Sequence, residues 1–179
     1  WYCYHTGLTD ATKYIWLNST AAEGTQTAAW NSTDPTSSVI HVGGEAEVNR
    51  NGYNTIAYCW APVAGYSSFN SYSTNGSADG PFVYTGFRPR WVLLKESSAS
   101  GELWVIYDSE RNTSNVMGKQ LYPSSNAAEA DASADTHARI DFLSNGFKIR
   151  GSHSSTNTNG ETVIYAAFAE HPFKTARAR

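Results

Sequence analysis

The chain has 179 residues, of which 40% are hydrophobic and only 16% charged, and its net charge at pH 7 is −3. This length suffices to bury a core without metal or disulfide staples, and an aromatic content of 13% excludes a disordered chain. Basic residues cluster only in the tail (Lys174, Arg177 and Arg179), which we predict to be a solvated terminus, so we expect no nucleic-acid binding. No apolar run approaches the roughly 20 residues of a membrane helix, so we expect no membrane insertion.

The first part of the chain alternates short apolar runs with polar stretches. The sequence predicts strands at residues 1–5, 14–17, 39–42 and 45–48, followed by an apolar strand that ends at Ala61. Asn51-Gly52 precedes this last strand, and an Asn-Gly pair supplies the positive φ angles of a tight hairpin turn. Cys3 and Cys59 lie in aromatic, strand-like runs, so we expect both to be buried free thiols.

A loop-like stretch separates the first part of the chain from the later part. Residues 62–80 are rich in Ser, Asn and Gly, which is typical of a loop, with Tyr66, Phe69 and Tyr72 as aromatic anchors. Strands are then predicted at residues 82–84, 91–95 and 103–108, and a second hairpin from residues 139–142 and 147–150 around Asn145-Gly146. The strands at 91–95 and 103–108 are apolar on both faces, as in the middle of a sandwich. We therefore predict an all-β fold, an antiparallel β-sandwich.

One stretch of the chain occurs twice. Residues 157–169 align without a gap to residues 49–61, 108 positions earlier (157 minus 49). Each copy is an Asn-Gly turn signal followed by an apolar strand. The residues that recur are Asn49, Asn51, Gly52, Ile56 and Ala61, as Asn157, Asn159, Gly160, Ile164 and Ala169, while Trp60 recurs as Phe168.

The repetition extends along the chain with an offset that drifts between 103 and 108 positions. Residues 1–5 match residues 104–108, Leu17 matches Leu121, and residues 39–42 fall where residues 140–143 fall. A period of about 105 residues indicates duplicated domains rather than solenoid units. We therefore predict that residues 1–65 are the C-terminal part of a first β unit and residues 66–179 a complete second unit. As a hypothesis, upstream residues of the same polypeptide or a neighbouring subunit supply the part that the first unit lacks.

Several motifs of the second unit resemble a repeated β domain of bacteriophage tail-fibre and other virion surface proteins. The motifs are Gly65–Phe69, Ser71–Gly76, Asp79–Lys95, Trp104–Arg111, Asp141–Lys148 and Ile164–Phe173. The resemblance implies a jelly-roll or concanavalin-like sandwich and a place on a virion or other extracellular surface. It also implies a structural or host-attachment role, with copies of itself, other virion or fibre subunits, and cell-surface glycan as partners. No catalytic residue is carried over from it.

The aromatic side chains fall into two groups. Trp60, Trp91, Trp104 and Phe168 lie on predicted strands and are expected in the core. Rings in loop-like contexts can instead stack on a sugar or fill an interface, and these are Trp30, Tyr53, Tyr66, Tyr72 and Tyr122.

Candidate ligand residues are few. Arg88, Asp108 and Arg111 are candidates for a polar pocket that binds a sugar or an anion. The alternative is an Arg–Asp pair that pins a loop at the end of a strand. His5 occupies the position of Asp108 in the first unit, so chemistry that requires this carboxylate is absent there.

Catalysis is not indicated by the sequence. A glycosidase needs two carboxylates across a cleft, and no spacing singles out a pair among Asp79, Asp108, Glu110 and Asp141. The chain has no Gly-x-Ser-x-Gly motif and no pair of His residues at metal-ligand spacing, so we expect no cofactor. A Ca²⁺ site at Asp79 is the alternative to a plain Asp-Gly turn. We expect a non-enzymatic structural or adhesive module, and the alternative is a carbohydrate-active enzyme, a glycan hydrolase or lyase.

Overall fold

A computed structural model describes residues 1–134 and 137–172. The predicted basic tail lies outside the described residues, as do the last residues of the second unit. In chain order, the elements are β1 (Tyr2–Cys3), β2 (Lys13–Trp16), β3 (Gly24–Thr25), α1 (Ala46–Asn49), β4 (Ser67–Ser73), β5 (Phe82–Tyr84), β6 (Pro89–Glu96), β7 (Val105–Asp108), β8 (Lys119–Gln120), β9 (Ala130–Asp131), β10 (Ile140–Leu143), β11 (Gly146–Ile149), α2 (Ser154–Asn157) and β12 (Thr162–Ala169).

The main sheet has the strand order β4-β12-β6-β7, and every neighbouring pair is antiparallel. A second sheet, with the order β10-β11-β5, covers one face of it. The core between the two sheets includes Val92, Leu94 and Tyr165 of the main sheet and Phe142 and Phe147 of the covering sheet. The predicted all-β, antiparallel sandwich is confirmed, and so is the hairpin around Asn145-Gly146.

A third layer lies on the opposite face of the main sheet. It is the small sheet β1-β2-β3, and its Leu8 and Ile15 pack with Trp104 and Ile164 in a separate apolar cluster. The indole N–H of Trp104 donates to the carbonyl oxygen of Trp16 at 2.9 Å. Because side chains alternate across a strand, the centre of the main sheet is buried on both faces, as its sequence predicts.

The chain repeats itself in hydrogen-bonded pairing as well as in sequence. The Cys3–Ile15 pair of β1 and β2 corresponds to the bridge between Ile106 and Leu121, which joins β7 to the end of β8. The β2–β3 pairing corresponds likewise to β8–β9, 106 positions later. This register makes Ile15, rather than the predicted Leu17, the counterpart of Leu121.

Three predicted strands of the first unit are not formed. Residues 39–42 have no regular structure, and residues 53–61 form no strand either. Residues 45–48 were also predicted as a strand, and instead they enter the helical turn α1. Since α1 and α2 are 108 positions apart, residues 39–42 lie at the positions of residues 147–150 on β11, and not at those of β10.

Two of the missing strands share a feature of their counterparts. The counterparts of residues 39–42 and 53–61 are β11 and β12; β11 pairs with β5 as well as with β10, and β12 pairs with β4 and β6. Residues 1–65 contain no copy of β4, β5 or β6. A strand needs non-local hydrogen bonds, so an apolar run without a partner does not become one.

Residues 62–80 are not the uniform loop that their composition predicts. Ser67–Ser73 form β4, which pairs with β12 along its length. Its Tyr72 packs against the core while its exposed Ser and Asn residues make the sequence resemble a loop. An edge strand that carries small polar side chains is therefore easily missed by composition.

Candidate interaction surface

Residues 53–61, which we call the apolar segment, lie exposed on the first unit. Its large side chains are among the most exposed of the protein, at 69% for Tyr53, 73% for Ile56, 62% for Tyr58 and 65% for Trp60. Trp60 was predicted to lie in the core, and this prediction is wrong. The Tyr58 and Trp60 rings stack on each other with centroids 6.3 Å apart, and Trp1 lies 5.9 Å from Tyr58.

A groove runs beside the apolar segment. Its volume is about 530 Å³, and its lining consists of Val42, Val48, Asn49, Tyr53, Asn54, Thr55 and Ala57. The lining contains neither a carboxylate nor a histidine. The groove therefore offers apolar contact and amide hydrogen-bonding groups.

The turn that leads into the apolar segment is rigidly specified. Glu45 caps α1 by accepting a hydrogen bond from the Ala46 N–H at 3.0 Å, and the amide of Asn49 donates to the carbonyl oxygen of Gly43 at 3.0 Å. Gly52 has a φ of 80°, as the Asn-Gly signal predicts. The segment thus leaves a defined turn in a defined direction.

The charged side chains near this segment are those of Glu45, Glu47 and Arg50, which precede it in the chain. Arg50 lies over the Tyr53 ring at 5.3 Å, and a hydrogen bond between Glu45 and Glu47 raises the pKa of Glu45 and lowers that of Glu47. From Gly52 to Ala78 the chain carries no charged side chain. A surface of this length without charge is unusual for a part of a protein that faces only water.

Asp108 and Arg111 contact each other, and Arg88 has other partners. Arg88 pairs with Glu170 at 2.8 Å and donates to the carbonyl oxygen of Phe142 at 2.9 Å. Asp108 forms an ion pair with Arg111 and accepts from the backbone N–H groups of Glu110 and Arg111 at 3.0 and 2.9 Å. These contacts have the geometry of the alternative, a pair that pins a loop at the end of β7. A ligand role for these residues stays a prediction.

Each carboxylate considered for catalysis contacts a cation. Besides the Asp108 pair, Asp79 binds Lys148 at 2.8 Å, Glu110 binds Arg90 at 2.6 Å and Asp141 binds Arg150 at 2.5 Å. The Lys148 contact lowers the pKa of Asp79, which is the opposite of what a general acid requires.

Among residues 1–134 and 137–172, no three His, Cys, Asp or Glu side chains gather so that they could hold a metal ion. Both cysteines are free, as predicted, but only Cys3 is partly buried. Cys59 is exposed because it lies on the apolar segment, so the prediction of a buried thiol is wrong for it.

The sequence predicts Trp60 and Cys59 of this surface to be buried, and Tyr53 to lie in a loop-like context. Ile56, Tyr58 and Trp60 have the pattern of a buried strand, and the same pattern is buried in β12. The two copies differ in which residues accompany them within their units. Residues 66–96 precede β12 in its own unit, and the first unit contains no equivalent before the apolar segment.

The fold defines an antiparallel β-sandwich protein. A family model described as "Domain of unknown function (DUF7483)" matches residues 1–172, and the chain belongs to this family. No curated protein and no solved structure matches the chain. Within the described residues, no helix has the length and apolarity needed to cross a membrane.

Proposed function

We propose that this protein is a non-enzymatic structural or adhesive module of a phage virion or another extracellular fibre-like assembly. The observation that carries this proposal is the exposed apolar segment. Monomeric proteins seldom leave contiguous large apolar side chains in water, and such patches mark surfaces that associate with other proteins. The motif resemblance to virion β domains supports the choice of assembly.

The surface chemistry favours association over catalysis. The groove lacks titratable carboxylates, and each candidate catalytic carboxylate contacts an Arg or Lys side chain. The one strand carboxyl whose pKa burial raises, Glu96, is 1% exposed, so it presents no acid to a substrate. The stacked Tyr58 and Trp60 rings provide a face on which glycan binding is the second adhesive capacity to test.

Sedimentation velocity over a wide range of protein concentration tests the proposal. We expect concentration-dependent association of the chain, because association removes Ile56 and Trp60 from water. The double variant Ile56→Asp, Trp60→Asp should remain monomeric and keep its fold. The matched control Tyr84→Asp changes an exposed large side chain on β5, away from the segment, and should associate as the original chain does.

Two outcomes would contradict the proposal. One is a chain that is monomeric at all concentrations and binds nothing on a glycan array. The other is release of reducing ends or unsaturated sugars from a polysaccharide panel, abolished when two nearby carboxylates are substituted. The second outcome would establish the alternative, a carbohydrate-active enzyme.

A further inference from the structure

We propose that His5 makes the attachment of the third layer to the main sheet sensitive to acid, so that the layer opens as the pH falls below neutral. His5 lies in the loop between β1 and β2, where this layer meets β4 and β12. Opening uncovers the apolar cluster of Leu8, Ile15, Trp104 and Ile164. The inference goes beyond the proposed function and does not depend on it.

Both ring nitrogens of His5 form hydrogen bonds that require the neutral imidazole. The Gly7 N–H donates to Nδ1 at 2.9 Å, so Nδ1 carries no proton. Nε2 lies 3.0 Å from the carbonyl oxygen of Tyr165, which can only accept, so Nε2 carries the proton. Protonation of the ring puts a second N–H at Nδ1, where it faces the Gly7 N–H and the bond between them is lost. The attachment therefore requires one protonation state of His5.

The two strands beneath His5 supply no charge that could compensate a proton on the ring. β4 contains only Ser, Phe, Asn and Tyr residues, and its Phe69 packs edge-on against the imidazole with ring centroids 6.4 Å apart. β12 contains no charged residue either. The tyrosine side chains of these strands, Tyr72 and Tyr165, lie in the core on the opposite face of the sheet. A protonated His5 is therefore held against an uncharged surface.

The charged side chains of the neighbouring elements have other partners. In the third layer, Asp10 and Glu23 bond to threonine hydroxyls. On the main sheet, the ammonium of Lys95 faces the third layer and donates to two backbone carbonyl oxygens, at 2.7 and 3.4 Å. Among the described residues, no carboxylate pairs with His5, and burial lowers the pKa of its imidazole.

The second unit contains the same turn with a carboxylate in place of the imidazole. Asp108 occupies the position of His5, and its Oδ1 accepts the N–H of the residue two positions further on, Glu110. His5 Nδ1 accepts the N–H of Gly7 with the same spacing. A carboxylate continues to accept hydrogen bonds at pH values at which an imidazole is protonated. The substitution of a histidine at this position therefore makes the turn of the first unit the acid-sensitive one.

The direction of the pH effect follows from the state of the ring in the closed layer. The closed layer holds His5 without a second proton, whereas the opened layer binds that proton with a pKa near 6.5. By linkage, the opening equilibrium of the layer rises about tenfold for each pH unit below about 6.5, until the pKa of His5 in the closed layer is reached. Above this range His5 contributes no pH dependence.

Hydrogen exchange of the full chain between about pH 7.5 and about pH 5 tests the inference, with rates corrected for their intrinsic pH dependence. The reporters are the amides of Gly7, Glu23 and Gly101, because they donate to His5 itself or across the contact between the layer and the main sheet. We expect their protection to fall about tenfold per pH unit below about pH 6.5. The amide of Phe147, in the core between the two larger sheets, is the internal reference and should keep its protection.

Two variants separate His5 from the other effects of acid. His5→Asn keeps an oxygen that can accept the Gly7 N–H and does not titrate in this range, so it should remove the pH dependence of the reporters. His153→Asn is the matched control, because His153 Nδ1 accepts the Ser155 N–H in the same way at the start of α2. This variant should leave the pH dependence of the reporters unchanged.

The outcomes decide the inference in either direction. Loss of protection in acid that is present in the original chain and in His153→Asn, and absent in His5→Asn, supports it. Unchanged protection in the original chain, or an equal acid response in His5→Asn, overturns it. NMR titration of the His5 ring needs no variant, and a pKa at or above about 6.5 would also overturn the inference, because the closed layer would then hold the proton without cost. These measurements do not involve association of the chain, so their failure leaves the proposed function to its own test.

Discussion

Substitution of Asn157 should destabilise the fold more than substitution of most other polar residues. Its side chain is fully buried and makes hydrogen bonds to Asn75, Ser77 and Gly151 at 2.8 to 3.1 Å. Asn157→Ala removes these bonds and leaves buried partners unsatisfied, at about 1 kcal/mol for each bond. We expect a loss of about 4 kcal/mol in the free energy of unfolding for the four bonds, which lowers Tm by about 8–16 °C for a chain of this size.

Asn49→Ala is the matched control. Asn49 occupies the same position in the first unit but is exposed and makes only the bond to Gly43 that the two residues share. We expect a loss below about 1 kcal/mol. Urea denaturation followed by far-UV circular dichroism measures both variants. Equal losses for the two would refute the reasoning, because they would show that the contacts with Asn75 and Ser77 contribute nothing.

Three further predictions concern thiols, pH and the predicted ligand residues. Cys59 should react with a thiol reagent well before Cys3, because Cys59 is exposed and burial raises the pKa of the Cys3 thiol. Single Cys→Ser variants assign the fast and slow phases of the reaction to the two residues. Equal rates for the two thiols would contradict the prediction. Burial lowers the pKa of Lys95 from 10.5 to about 8. Between these two pH values the unfolded chain therefore binds a proton that the folded chain lacks, so the free energy of unfolding should rise with pH above about 8. The Lys95→Met variant should lack this rise. A flat difference between the two pH profiles would show that Lys95 is not desolvated. Asp108→Asn should lower stability by about 1–2 kcal/mol through the loop that Asp108 pins, with no change on a glycan array, whereas lost glycan binding at unchanged stability would establish the ligand role.

The elements predicted correctly are those whose signals are local or whose partners are present. The positive φ angles at Gly52 and Gly160 follow from backbone preference, but the hairpin predicted at Asn51-Gly52 is not formed, because a helical turn precedes it and no strand follows it. β6 and β12 follow from their continuous apolar runs, and each finds its neighbours within the second unit. The same apolar pattern in residues 53–61 predicts a strand that the first unit does not form. Hydrophobic pattern indicates what a segment needs to bury, and it does not show whether the covering residues exist.

The sequence predicts where the interaction surface lies in the chain, but it does not predict that this surface is exposed. The sequence repeat located residues 49–61 and showed that the first unit has no copy of residues 66–96. It did not show that Trp60 and Cys59 are exposed, because a run of aromatic and small residues is usually a core strand. β4 was missed for the opposite reason, since Ser and Asn on an edge strand have the composition of a loop. In both cases, burial and strand formation depend on the residues that surround the segment and not on the segment's own composition.

The contact between the small sheet and the main sheet joins two different surfaces. β1-β2-β3 belongs to one unit, and the face of the main sheet that receives Leu8 and Ile15 belongs to the next. Such a contact is heterologous, because each side contributes a different set of residues. It is also separate from the core between the two larger sheets. Weakening it, for example at the Trp104–Trp16 hydrogen bond, should loosen the small sheet from the main sheet while the core that contains Val92 and Phe142 stays packed.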